Sequence, residues 1–154
     1  MSNIRAFLDM LAWSEGTSTH RKTKCNGYDV IVSGVSSPQT FTDFSRHPNV
    51  LVLVNKSGLK STAAGRYQLL YRYWVAYCKQ LGLSDFTPEA QDKIAIQQIK
   101  ERKALRLIEE GHLAEAIKRC SNIWASLPGN DYGQPQHSYA DLERVYLQAG
   151  GTLA

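Results

Sequence analysis

Residues 3–16 of the chain read NIRAFLDMLAWSEG, and this stretch carries the first of two sequence patterns that decide the fold. Its apolar residues recur at the spacing of one helix face, and they are Ile4, Phe7, Leu8, Leu11 and Ala12. Gly16 is a suitable helix stop because glycine adopts helix-ending conformations without strain. The stretch therefore predicts a helix over residues 3–15.

The second pattern begins after Gly16 and lacks helical spacing. Residues 17–60 are rich in Ser, Thr, Gly, Asn and Pro, and they contain short β-branched runs at residues 30–32 and 50–54. Runs of this kind, bounded by turn-forming residues, are typical of strands. We therefore expect a small, irregular sheet joined by loops in this part of the chain.

Helical spacing returns at about Gly65. We expect helices at residues 65–82, 87 to about 103, 104–110, 112–120 and 138–148, with a loop over 122–136. Thr87 and Ser138 are the expected N-caps, since their hydroxyls can accept hydrogen bonds from the free N–H groups of a helix start. The layout predicts an α+β fold in a single domain over residues 1–154. In it, a small irregular β lobe packs beside a mainly helical lobe, with the ligand-binding cleft between them.

The charge of the chain is unevenly distributed. The formal net charge is +4, and residues 16–84 hold nine Lys or Arg against two acids, Asp29 and Asp43. A positive region of this kind favours an anionic partner, and nucleic acid, a lipid surface and an anionic cell wall all suit it. A solvated basic face without a partner is the alternative that charge alone leaves open.

Several classes of protein are disfavoured by what the sequence lacks. No stretch approaches the roughly 18 consecutive apolar residues of a membrane span, and residues 1–12 lack the pattern of a signal peptide. We therefore expect synthesis in the cytosol, no export by the usual route and no stable membrane binding. Three cysteines are expected to be reduced thiols, and they are Cys25, Cys78 and Cys120.

Metal and nucleotide chemistry has no support in the motifs. The sequence has no P-loop, no Gly-x-Gly-x-x-Gly fingerprint and no Gly-x-Ser-x-Gly elbow. Zinc-ligand spacing is also absent from the scattered histidines, which are His20, His47, His112 and His137. We expect no cofactor and no metal.

Glu15 is the first candidate for acid–base chemistry. It falls at the predicted C-terminal end of the first helix, where free carbonyls are partly negative and disfavour a carboxylate. Trp13 and the apolar helix face can also exclude water there. Both effects raise a carboxyl pKa, as a general acid needs. A solvated surface glutamate is the alternative, and the local pattern alone favours it.

Two further stretches could bind a ligand. Small residues in 61–68 are expected to open a helix and let backbone approach a ligand, with the Tyr67 ring available for a sugar face and Gln68 for hydrogen bonds. In residues 121–129, Trp124 stands beside small and polar residues, which suits carbohydrate stacking. The competing interpretation of both stretches is structural, with Tyr67 and Trp124 in the core.

Taken together, these stretches resemble the lambda-type bacteriophage endolysins, a family of lytic transglycosylases. The resemblance spans nearly the whole chain. It is carried, in order, by residues 5–17, 27–32, 59–62, 65–70, 79–83, 97–102, 119–129 and 149–152. The segment around residues 35–39 and the loop over 130–140 are more divergent.

The resemblance implies a lysozyme-like fold and a specific activity. The family's catalytic acid falls on Glu15, and Gly65-Arg66-Tyr67-Gln68 resembles the Gly-x-x-Gln element that lines the cleft in other lytic transglycosylases. The family cleaves the β-1,4 bond between N-acetylmuramic acid and N-acetylglucosamine and leaves 1,6-anhydromuramic ends. The substrate-binding residues expected on this basis are Trp13, Ser14, Tyr28, Asp29, Ser61, Gly65, Arg66, Tyr67, Gln68, Trp124 and Tyr132.

The resemblance also implies partners and a location. Peptidoglycan glycan strands are the expected substrate, and nucleic acid is not an expected partner. The enzyme is expected to be a monomer that stays in the host bacterial cytoplasm until a holin permeabilises the inner membrane. It would then act on the cell wall and cause host lysis.

Two other functions remain open at this stage. One is a hydrolytic lysozyme in which Glu15 works with Asp29 or Asp43, because hydrolytic glycosidases usually need two carboxyl groups. A sugar hydroxyl that attacks its own ring removes that need, which favours the transglycosylase. The other is a non-catalytic module that binds cell wall or nucleic acid through its basic half.

Overall fold

A computed structural model describes residues 2–130 and 136–154 of the chain. It contains helices and a two-stranded antiparallel sheet, which confirms the predicted α+β class. In chain order the elements are α1 (Asn3–Ser14), β1 (Val52–Leu53), β2 (Lys60–Ser61), α2 (Tyr71–Leu81), α3 (Pro88–Glu101), α4 (Leu105–Glu109), α5 (Leu113–Cys120) and α6 (Tyr139–Gln148).

The chain divides into two compact units, with one boundary inside α3. The helical unit comprises residues 1–15 and 95–154, and the β-containing unit comprises residues 16–94. Within the part of the chain that is described, no helix is long and apolar enough to cross a membrane.

In the helical unit, α1 packs against α4 and α6. The apolar face predicted for α1 is buried, and Phe7, Leu8 and Leu11 are at most 1% exposed. The Ser2 hydroxyl accepts a hydrogen bond from the Arg5 N–H at 3.2 Å and so caps the start of α1. The predicted N-cap of α6 is confirmed, since the Ser138 hydroxyl accepts from the Asp141 N–H at 3.2 Å.

The sheet of the β-containing unit is shorter than predicted. Val52 pairs with Ser61 and Leu53 with Lys60, so only part of the 50–54 run is a strand. The predicted strand at 30–32 is reduced to isolated bridges, from Val30 to Thr40 and from Ile31 to Ala64. These successive residues pair with different segments, so no ladder of hydrogen bonds extends along the run.

The predicted helix start at Gly65 is wrong. Gly65 has φ +85° and Gln68 has φ +55°, and left-handed residues cannot begin a right-handed helix. They form instead the turn of a short hairpin, in which Ala64 and Leu69 exchange backbone hydrogen bonds of 3.1 and 2.9 Å. The helix α2 begins only at Tyr71, and it ends as predicted at Gly82, whose φ is +68°.

The core of the β-containing unit surrounds this hairpin. Ala64 and Leu69 are buried with Phe86 and Ile94, and partly buried side chains of Phe41, Trp74, Tyr77, Leu81 and Leu83 pack against them. The predicted N-cap of α3 is also present, because the Thr87 hydroxyl accepts from the Ala90 N–H at 3.2 Å.

Candidate active site

Glu15 is the C-cap residue of α1, as its position in the sequence predicts. Its N–H donates to the Leu11 carbonyl at 2.8 Å and completes the last turn of the helix. The carboxyl group therefore lies at the negative end of the helix dipole, which favours the protonated form. The side chain is partly buried.

Two serine hydroxyls connect to this carboxyl group. The Ser126 hydroxyl donates a hydrogen bond to Oε2 of Glu15. The Ser14 hydroxyl lies 2.7 Å from the Ser126 hydroxyl. Because a hydroxyl has only one hydrogen, Ser126 must accept from Ser14 if it donates to Glu15. The result is a chain of hydrogen bonds that runs from Ser14 through Ser126 to Glu15.

The surroundings make Glu15 a weaker acid than an exposed glutamate. Burial raises the pKa of Glu15 above its ordinary value of 4.5, and the hydrogen bond from Ser126 opposes that rise without cancelling it. A carboxyl group whose pKa lies above its ordinary value keeps its proton to higher pH, which suits it to protonate a leaving group.

His137 bonds the backbone of both serines. Its N–H donates to the Ser126 carbonyl at 2.9 Å, and its Nε2 lies 3.0 Å from the Ser14 carbonyl. A carbonyl only accepts, so Nε2 must carry a hydrogen. The ring also packs against Trp13, with 4.6 Å between ring centres, and the Arg144 guanidinium lies 5.8 Å from the Trp13 ring centre.

Sequence reasoning missed Ser126 and His137. Ser126 lay within the 121–129 stretch, but no local signal separates it from the other serines there. His137 has no metal-ligand spacing, and no other sequence pattern singles it out. Predicted binding residues Trp13 and Ser14 do lie beside Glu15, with Trp13 partly buried and Ser14 buried.

The second predicted stretch is mainly structural. The Arg66 side chain is 2% exposed, and its guanidinium carbon lies 5.1 Å from the Tyr28 ring centre and 5.7 Å from that of Tyr67. Both tyrosine hydroxyls donate to the Asp92 carboxylate, at 2.9 Å from Tyr28 and 2.6 Å from Tyr67. Tyr67 is 5% exposed and presents no ring face to a sugar, whereas Tyr28 is partly buried.

Packing alone is sufficient to require a glycine at position 65. A Cβ at this position would lie 2.4 Å from Oε1 of Gln91 and 2.8 Å from Cζ of Phe86. The same Gln91 oxygen accepts from the Arg66 N–H at 2.8 Å. Gln68 is partly buried, and its amide nitrogen donates to the Gly65 carbonyl at 2.9 Å.

Ser61 lies in a pocket within the β-containing unit. The pocket has a volume of about 350 Å³. Its lining combines apolar side chains with two cations, and the residues are Leu51, Lys60, Ser61, Thr62, Leu70, Tyr71 and Arg72. Both Lys60 and Arg72 are exposed, so the pocket can attract an anionic group.

The two acids considered as partners of Glu15 each hold a turn of their own loop. The Asp29 carboxylate is 4% exposed and accepts from the Thr23 hydroxyl and, at 3.0 Å, from the Lys24 N–H. The Asp43 carboxylate accepts from the N–H and the hydroxyl of Ser45, at 2.9 and 2.6 Å. These bonds lower the pKa of Asp43.

The remaining predicted binding residues are Trp124 and Tyr132. Trp124 is 3% exposed, which places its ring in the core and leaves no face for a sugar. Tyr132 lies outside the described residues. The predicted cleft stays a prediction.

The fold is that of a lysozyme. The solved structure of bacteriophage lambda lysozyme complexed with a chitohexasaccharide matches the chain with a TM-score of 0.93 at 58% sequence identity. The match covers 100% of this chain and 98% of that chain.

Sequence comparison then gives the family. The Endolysin family model matches residues 5–153. The endolysin of Escherichia phage lambda is 59% identical over 150 residues, which cover 97% of this chain and 92% of that protein. The endolysin of Escherichia phage P2 is 55% identical over 157 residues, with 99% and 95% covered. This chain therefore belongs to the Endolysin family of bacteriophage cell-wall-degrading enzymes, which confirms the resemblance predicted from its motifs.

Proposed function

We propose that this endolysin is a lytic transglycosylase with Glu15 as its catalytic acid and residues 1–154 as a single catalytic domain. It would cleave the β-1,4 bond between N-acetylmuramic acid and N-acetylglucosamine in peptidoglycan and leave 1,6-anhydromuramic ends. One observation carries the proposal: the Glu15 carboxyl lies at the C-terminal end of α1, where burial raises its pKa, and accepts a hydrogen bond from Ser126.

The two acids considered as partners of Glu15, Asp29 and Asp43, favour the transglycosylase over the hydrolase. A lysozyme that uses water needs a second carboxylate to activate water or to stabilise the charged sugar. Asp29 is buried with its oxygens bonded to its own loop, and Asp43 is bonded to Ser45. Neither carboxylate is free of structural bonds, whereas an attacking hydroxyl that belongs to the sugar needs only one acid.

The proposed reaction has two proton transfers through the same carboxyl group. Glu15 donates its proton to the oxygen that leaves with N-acetylglucosamine, and the bond from C1 of N-acetylmuramic acid to that oxygen breaks. The Glu15 carboxylate then accepts the proton of the muramic acid 6-hydroxyl, whose oxygen bonds to C1. No water is consumed, and Glu15 ends protonated as it began.

Substrate contacts are proposed for the predicted residues whose side chains keep some exposure to solvent. They are Trp13, Tyr28, Ser61 and Gln68, each partly exposed, together with Ser14, whose hydroxyl belongs to the hydrogen-bond chain. The structure of lambda lysozyme has been solved in complex with a chitohexasaccharide, which supports a glycan ligand for the present chain.

Delivery is proposed on the basis of the family. We infer that the enzyme is a monomer that waits in the host cytoplasm until a holin opens the inner membrane, and then reaches the wall. Membership of the Endolysin family supports this route.

Mass spectrometry of digested sacculi tests the reaction. A transglycosylase releases muropeptides that lack one water relative to the products of hydrolysis. Anhydro products would support the proposal, and reducing ends would establish the hydrolase instead.

Glu15→Gln should lose at least about a hundredfold in rate. Glu109→Gln, which changes an exposed glutamate of α4, should retain the wild-type rate. No lysis by the wild-type protein would favour a binding module.

A further inference from the structure

We infer that Ser126 is a positioning residue that keeps the transferable proton of Glu15 on Oε1, with Ser14 and His137 holding Ser126 in place. This inference rests on the proposed role of Glu15 as the acid. It goes beyond that role because it assigns the two carboxyl oxygens different tasks, one facing the serine and one facing the substrate.

The direction of the hydrogen bonds carries the first step. When Glu15 is ionised its oxygens can only accept, so the single hydrogen of Ser126 is directed to Oε2. A proton that reaches this carboxylate is then taken up by the other oxygen, Oε1, because Oε2 already accepts the serine hydrogen. In this ionised state Ser14, whose hydroxyl lies 2.7 Å from that of Ser126, donates its hydrogen to Ser126.

His137 fixes the geometry of the serine pair. It donates from its backbone to the Ser126 carbonyl at 2.9 Å and from its ring to the Ser14 carbonyl at 3.0 Å. One residue thus bonds the main chain of both serines, which come from α1 and from the 121–129 segment. The contact of its ring with Trp13, at 4.6 Å between centres, restricts the ring further.

The second proton transfer explains why such a residue would matter. After Glu15 has donated its proton, the carboxylate must persist until the 6-hydroxyl attacks. A hydrogen bond to an ionised oxygen is stronger than one to a neutral oxygen, so the Ser126 bond strengthens when the carboxylate forms. Ser126 also opposes the rise in the pKa of Glu15 that burial causes. Without it, the pKa of Glu15 would rise further.

The test is a pH profile of kcat/KM on soluble peptidoglycan fragments. Ser126→Ala should move the alkaline limb, where the acid loses its proton, up by about half to one pH unit, the size expected for one hydrogen bond to a carboxylate. We also expect kcat to fall by about tenfold. Ser126→Thr keeps the hydroxyl and should restore the wild-type limb.

Ser121→Ala is the matched control. Ser121 is buried, and its hydroxyl donates to the Lys118 carbonyl at 2.8 Å, but it does not belong to the chain of hydrogen bonds that ends at Glu15. Its loss should leave the position of the limb unchanged. If Ser126→Ala does not fold, Ser14→Ala carries the same test and should shift the limb in the same direction by a smaller amount.

The outcomes separate the two proposals. A Ser126→Ala profile that superimposes on the wild type, in a protein that Glu15→Gln inactivates, overturns the role of Ser126 and leaves Glu15 as the acid. Near-full activity of a folded Glu15→Gln protein overturns the proposed function itself. Titration of the Glu15 carboxyl carbon by NMR, in the wild type and in Ser126→Ala, should show the same upward shift directly.

Discussion

The hydroxyl of Tyr67 donates a hydrogen bond to the Asp92 carboxylate at 2.6 Å. Tyr28 donates to the same carboxylate, and the Arg66 guanidinium lies against both rings. Within this network the Tyr67 hydroxyl donates to Asp92 and accepts from the Arg66 guanidinium. The network therefore explains why an aromatic ring that the sequence suggested for sugar binding is committed to the fold.

Tyr67→Phe should destabilise the protein without weakening substrate binding. It removes a hydrogen bond to a charged group, for which a loss of about 1–3 kcal/mol in the free energy of unfolding is expected. Urea denaturation measures this loss. Tyr73→Phe is the control, because Tyr73 is 45% exposed and should cost little. A raised KM with unchanged stability would instead support sugar stacking by Tyr67.

Gly65→Ala should be far more costly than Gly82→Ala. Both glycines have positive φ, so each substitution carries a backbone penalty of about 1–2 kcal/mol. At Gly82 the added Cβ meets nothing within 4 Å, whereas at Gly65 it would lie 2.4 Å from the Gln91 side-chain oxygen. The difference between the two losses of stability isolates this clash. Equal losses of stability in the two variants would mean that the Gln91 side chain moves aside at no cost.

Glu15 should make the protein less stable as the pH rises. Its pKa is raised in the folded state, so above pH 4.5 the folded protein retains a proton that the unfolded chain has released. Stability then falls with pH until the folded-state pKa is passed. Glu15→Gln removes this effect. The free energy of unfolding of the variant, relative to that of the wild type, should therefore be higher at pH 8 than at pH 4. A difference that is the same at both pH values would show that Glu15 is not desolvated.

His47 should make the β-containing unit sensitive to acid. The ring is 1% exposed and neutral, since Nδ1 accepts from the Asn49 N–H at 2.9 Å and Nε2 donates to the Leu69 carbonyl at 2.7 Å. Burial lowers the pKa of His47 below 6.5. The unfolded chain therefore binds a proton first, and the stability present above pH 6.5 is lost as the pH falls below it. His47→Gln should lose less stability between about pH 6.5 and pH 5, as measured by urea denaturation at each pH. Equal losses would assign the acid sensitivity to other groups.

Lys60 and Arg72 should give binding to sacculi a salt dependence. They line one pocket, and neutralising both to Gln should weaken binding at low salt. The effect should fade above about 0.1 M salt, where the Debye length is near 10 Å. Lys118→Gln, an exposed change on α5, is the control. Binding that does not respond to salt or to the double substitution would remove the pocket from the binding surface.

Local sequence was sufficient for most element boundaries. The end of α1 at Glu15, the caps Thr87 and Ser138 and the break at Gly111 follow from helical spacing and from hydrogen bonds within a few residues. The order of helix, β-rich segment and further helices also predicted the α+β class. Such features depend on residues that are close together in the amino-acid sequence.

Tertiary structure decided the chemistry around Glu15. Ser126 bonds Glu15 across 111 positions, and His137 bonds Ser14 across 123. No periodicity links residues so far apart, so nothing in the sequence distinguishes Ser126 from Ser121. The same limit applies to burial, because Tyr67 can serve a sugar or a core equally well in the sequence. It becomes a core residue only when Arg66 and Asp92 fold around it, since a buried hydroxyl and a buried charge must find partners within the protein.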